Sequence, residues 1–146
     1  MTGLVEFITA RLDEMEAVAR AATPRVWEDG GGTVFVGHPM NEIVEYVYAQ
    51  ADLDHIVLNQ PAAVLRDVEA TRQLLTDLDT EKHVVVDDCW YTCPAATEEH
   101  DGDTTCNENT RGTGCDCGRD ARVDSQRRVI ASRWSTHPDY QQEWAP

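Results

Sequence analysis

Apolar residues return at helical spacing over the first part of the chain. Leu4, Ile8, Leu12, Met15, Ala19 and Ala22 share one stripe, and Glu6, Asp13 and Glu16 turn away from its centre. The pattern predicts a core-facing amphipathic helix from Leu4 to Ala22, with Thr2 as its cap and Thr23-Pro24 as its stop. A membrane-surface helix would carry a lysine-rich polar face, and this one is acidic. The period then shortens. Arg25 to Glu28 and Thr33 to Gly37 are rich in Val, Trp and Phe, and Asp29-Gly30-Gly31-Gly32 between them is turn chemistry, so they predict a hairpin. These glycines do not read as a phosphate cradle, because no Gly-Lys-Ser/Thr follows them.

Glu42 to Tyr48 is β-branched and aromatic, which predicts a third strand, although Asn41 could instead cap a helix running through Ala51. A short helix from Asp52 to Asn59 follows, and Pro61 stands at the first turn of a longer one. Val64, Val68, Thr71, Leu75 and Leu78 share one face of that helix, which ends near Thr80. Val84 to Val86 is a brief apolar run that predicts another strand, and Ala95 to Gly114 is polar and acidic. Periodicity returns between Arg119 and Trp134, where Val123, Ile130 and Trp134 align among Arg119, Arg122, Arg127, Arg128 and Arg133. The fold class that follows is α+β: helices packed on a small antiparallel sheet, with a cysteine-bearing polar insert before a C-terminal helix. Nothing divides two independent cores, so residues 1–146 are expected to form a single domain with the insert at 87–117. Tyr140 and Trp144 in the closing segment are expected to dock on the core, since large aromatics left in water would be a liability.

Charge narrows the function classes. The chain carries 27 Asp and Glu against 12 Lys and Arg, a net charge of -15. Such a field repels nucleic-acid phosphates and anionic membranes and steers toward basic partners, so a protein partner is expected rather than direct nucleic-acid binding. No apolar run is long enough to span a membrane, and the start of the chain lacks the pattern of a signal peptide, which points to the cytoplasm.

The chemical lead is the cysteines, Cys89, Cys93, Cys106, Cys115 and Cys117. In a reducing compartment an odd cluster of this kind suggests metal or free thiols before disulfides. Zinc takes four N or S donors on a tetrahedron, and Cys89-x3-Cys93 with Cys115-x-Cys117 would supply four, closing a loop that has no apolar anchor of its own. His83, His100 and Cys106 are alternates. Free structural thiols, or a disulfide formed on oxidation, are the other readings. Cysteine catalysis is disfavoured, because Asp87, Asp88, Glu98, Glu99, Asp101, Asp103 and Asp116 surround these thiols and negative neighbours raise a thiol pKa. No His-Glu-x-x-His appears either.

Three stretches carry a resemblance. They are Leu4-Val5-Glu6-Phe7-Ile8-Thr9-Ala10-Arg11-Leu12-Asp13-Glu14, His55-Ile56 with Pro61-Ala62-Ala63-Val64-Leu65-Arg66-Asp67-Val68-Glu69-Ala70, and His137-Pro138-Asp139-Tyr140-Gln141-Gln142-Glu143-Trp144. With these the chain resembles a domain-of-unknown-function family of short proteins from actinobacteria and their phages, the His-Pro-Asp-Tyr ending being the most specific part. In that family a Cys-containing region precedes a Leu-rich helix that runs into this ending, whereas here the helix is Arg-rich from Arg119 to Arg133. The resemblance implies an origin and a general shape, and no catalytic residue. The expected function is a non-enzymatic protein-interaction module of phage derivation whose insert is organised by structural zinc. An alternative is an acidic decoy that mimics nucleic acid and inhibits a host DNA-binding protein, and a third is an enzyme of unknown class.

Overall fold

The computed structural model describes residues 2–36, 41–44, 46–86, 91–96 and 112–146. The fold is α+β, with helices α1 (Thr2–Ala21), α2 (Gln50–Leu58), α3 (Pro61–Thr80) and α4 (Arg119–Ala131) and two small antiparallel sheets. Strands β1 (Trp27–Asp29), β2 (Val34–Val36) and β3 (Asn41–Val44) form the first sheet in that order, and β4 (Val85–Val86) pairs with β5 (Tyr91–Thr92) in the second. No described helix is long and apolar enough to cross a membrane. The chain separates into two compact units, Thr9–Arg72 and Met1–Ile8 with Gln73–Pro146.

In the Thr9–Arg72 unit, the expected hairpin forms with Trp27 opposite Val36 and Asp29 opposite Val34. Asp29 Oδ1 accepts the Gly31 amide at 2.7 Å, and Gly31 and Gly32 take φ of +75° and +106°, values that only glycine adopts without strain. Val34 and Val36 are buried, as are Leu12, Ala19, Leu53 and Val68 from the helices. The third strand stops at Val44, short of the expected Tyr48. The reason is local: the β2–β3 register slips between Val34 and Phe35, and Tyr46 turns into the left-handed region at φ +60°. Val47 is then held by its amide on Gly32 O at 2.7 Å. Arg72 reaches from α3 to α1, meeting Glu16 at 2.5 Å and Asp13 at 2.8 Å.

In the second unit the aromatic tail docks. Trp144 is buried, and the Phe7 ring lies 5.1 Å from Trp144, 5.7 Å from His137 and 6.0 Å from Tyr140, centroid to centroid. The edge-on geometry of the His137 and Tyr140 contacts suits the ring quadrupoles. Arg128 donates to Glu143 O, pinning the turn that carries Trp144. The arginines of α4 are used on the end of α3. Arg119 donates to the carbonyls of Leu78 and Asp79 at 3.3 Å each and of Glu81 at 2.8 Å. Arg122 meets Glu81 at 2.7 Å, and Arg127 pairs with Asp79. Helix α3 has no basic residue in its own last turn, so these cations satisfy its orphan carbonyls and oppose the negative end of its dipole.

Candidate metal centre

The β4–β5 ladder builds one half of a side-chain cluster. Val85 stands opposite Thr92, and the Cys93 amide donates to Val84 O at 2.9 Å, extending the pairing by a residue. This register brings His83, two residues before β4, to the same end of the hairpin as Cys93, the residue just after β5. Cys93-Pro94-Ala95-Ala96 then turns tightly, closed by the Ala96 amide on Cys93 O at 2.9 Å, with proline at the second position where its fixed φ is favoured. The other half returns with the chain at Gly112, whose amide donates to Pro94 O at 2.7 Å. Cys115 and Cys117 follow, and Gly118, at φ +79°, turns the chain from Cys117 into α4.

Four donors converge: the ligand atoms of His83, Cys93, Cys115 and Cys117 all lie within 4.8 Å of one another. His83 Nδ1 is 3.5 Å from Cys93 Sγ and 3.7 Å from Cys117 Sγ, and the sulfurs of Cys115 and Cys117 are 3.6 Å apart. A tetrahedral ion with metal–sulfur bonds of 2.3 Å and metal–nitrogen bonds near 2.05 Å requires edges of about 3.8 Å for S–S and about 3.6 Å for N–S. These three separations lie close to that tetrahedron's edges. On its far side His83 presents Nε2 to Asp120 Oδ1 at 3.7 Å, the carboxylate–histidine arrangement that orients a ligating imidazole. Cys93 is fully buried and His83 nearly so, with its side chain 11% exposed. The cluster can hold a metal ion.

The thiols do not follow the expectation that acidic surroundings raise all of them. At Cys93 burial is the largest influence and raises the pKa, but backbone amides of Cys117, Ala95 and Asp116 turned to the sulfur outweigh it and leave the thiol below its ordinary value. At Cys115 burial is again opposed, by the Asp120 amide and the neighbouring Cys117 and Cys93 side chains, and the net shift is downward. Cys117 is shifted upward, by burial first, with the other two sulfurs adding to it. Of the carboxylates that the sequence places near the thiols, only Asp116 lies among the described residues. It is occupied by the Tyr91 hydroxyl, and this bond is the first cause that pushes the Tyr91 pKa far up.

Of the cysteines proposed as ligands, Cys93, Cys115 and Cys117 come together, and Cys89 lies outside the described residues, as do the alternates His100 and Cys106. His83 takes the remaining place in the described cluster. The only signal for it in the sequence is positional: a Val-rich run, a short gap and a Tyr-Thr pair make a hairpin whose flanking residues must meet. No described cysteine is in a disulfide. Residues 1–146 match the model of DUF6221, described as a family of unknown function. No curated protein and no solved structure matches the chain.

Proposed function

Since the chain belongs to the DUF6221 family, whose function is unknown, its role rests on its own residues, and we propose that it is a non-enzymatic protein-interaction module organised by structural zinc. The observation that carries this reading is the convergence of His83 Nδ1 and the sulfurs of Cys93, Cys115 and Cys117 within 4.8 Å, with the His83–Cys93, His83–Cys117 and Cys115–Cys117 separations at 3.5, 3.7 and 3.6 Å, close to the edges of a tetrahedral N/S site. Soft thiolates with one imidazole select zinc over the hard cations, and four protein donors leave no open position for substrate or activated water, which is the pattern of structural zinc. Such an ion ties β4–β5, the Cys93 turn and the start of α4 together. Thiolate charge beside the first turn of α4 is also favoured by the helix dipole. A net charge of -15 supports a basic protein as the partner.

Elemental analysis of protein purified without an affinity tag or added metal tests the reading. About one equivalent of zinc per chain is expected, released by a chelator with loss of order around the cluster. His83→Ala and Cys93→Ser should each lower the retained zinc. Less than about a tenth of an equivalent of any transition metal would overturn the proposal.

A further inference from the structure

Helices α3 and α4 enclose a groove that the metal centre does not use. Its volume is about 450 Å³, and it is lined by Leu74, Asp77, Leu78 and Glu81 from the α3 side and Gln126, Val129 and Ile130 from α4. Leu78 forms a buried floor, while Leu74 and Val129 are both 56% exposed on the two lips. Other large apolar side chains, Val18 and Leu58 among them, are exposed on the described surface, and Leu74 and Val129 differ in lining a common groove. The stretch from Leu74 to Glu81 rises about 10 Å along α3, which is two helical turns.

We propose that this groove is the docking surface of the interaction module, and that its occupant is a basic amphipathic helix of the partner protein. The proposal rests on the reading of the protein as an interaction module and names the surface and the partner's chemistry. Charge complementarity selects the occupant. The lining includes two carboxylates and no Lys or Arg. Glu81 already holds Arg122 at one end of the furrow, and Asp77, which accepts a hydrogen bond from Gln73 at 2.8 Å, remains as the carboxylate beside Leu74. A helix presenting leucine-sized anchors at i, i+3 and i+4 fits between two facing helices, and lysines flanking those anchors meet Asp77 and the field of a chain with net charge -15. A second copy of this chain is a poor occupant, since it brings the same net charge of -15. The groove's second wall is α4, which begins one residue, Gly118, after Cys117, so the metal centre fixes the wall in place.

The test uses the full chain and a helical probe peptide of about 14 residues, leucines on one face and lysines on the other, with fluorescence anisotropy as readout. The wild-type protein is expected to bind it, and Leu74→Ser with Val129→Ser to weaken binding at least about tenfold, as loss of two apolar anchors should. Asp77→Lys should weaken it about threefold and lower its salt dependence. Val18→Ser with Leu58→Ser, which removes apolar side chains exposed elsewhere, should change nothing. Equal binding by the Leu74/Val129 variant, or by a leucine/glutamate peptide of the same pattern, would overturn the proposal. So would self-association of the wild-type chain in sedimentation that the same double variant abolishes, since the groove would then belong to a second copy. The zinc and groove readings fail separately. Metal retained with no groove-dependent peptide binding sinks the groove alone, and groove-dependent binding by a metal-free chain sinks the zinc alone.

Discussion

Replacing Trp144 with alanine removes the centre of the aromatic group that closes the chain onto α1. The indole is only 8% exposed and packs on Phe7 at 5.1 Å and Tyr140 at 5.9 Å between centroids. Burying a side chain of this size removes about 150–250 Å² from water, and at about 25 cal/mol per Å² the transfer term alone is about 4–6 kcal/mol. An extended-chain reference overstates that area, and measured Trp→Ala losses centre on about 3–5 kcal/mol, the figure expected here. With an unfolding entropy of about 2.1 cal/mol/K per residue, the melting temperature should fall by roughly 10–15 °C. Urea unfolding followed by circular dichroism supplies the free energy, with an unchanged m-value required so that the two proteins expose equal surface. Trp144→Phe keeps a ring against Phe7 and should lose less than about half as much. Gly3→Ala is the control on the same contact: its added Cβ would stand 3.7 Å from the indole, ordinary van der Waals distance. A fall of less than about 3 °C in Trp144→Ala would show that the tail adds nothing to the fold and would refute the reasoning.

Two further outcomes follow from the ion pairs and caps. Arg119→Ala strips three carbonyls at the end of α3 of their donor, and a loss of about 1–3 kcal/mol in urea unfolding is expected, whereas a loss under about 0.5 kcal/mol would show that water satisfies them equally well. Glu16 is held below its ordinary carboxylate pKa by its bond to Arg72 first and to Arg20 second. A depressed acid contributes stability that is present above its unfolded pKa and is lost as pH falls toward the folded value, so Glu16→Gln should flatten the loss of stability as pH falls below the ordinary carboxylate range. Identical acid limbs in melts of the two proteins across that range would contradict the assignment.

Local signals in the sequence determined the helices and the first hairpin. The stripe of Leu4, Ile8, Leu12 and Ala19 and that of Val68, Thr71 and Leu78 place α1 and α3, because a helix is built from neighbours three and four residues apart. Asp29-Gly30-Gly31-Gly32 placed the β1–β2 turn because positive φ is a property of the residue itself. The cysteine spacing already pointed to Cys93, Cys115 and Cys117 as neighbours in space. What tertiary structure alone decided depends on partners distant in the chain. His83, one of three alternates in the sequence, joined the cluster through the strand register that sets it beside Cys93. The downward shift at Cys93 comes from amides of Cys117 and Asp116, groups present at every position whose direction only the folded backbone fixes. Likewise Arg119, Arg122 and Arg127 look like an isolated basic helix in sequence and become caps and ion pairs only once α4 lies at the acidic end of α3. Composition gives the sign of each charge; distance, which composition does not contain, gives the interaction.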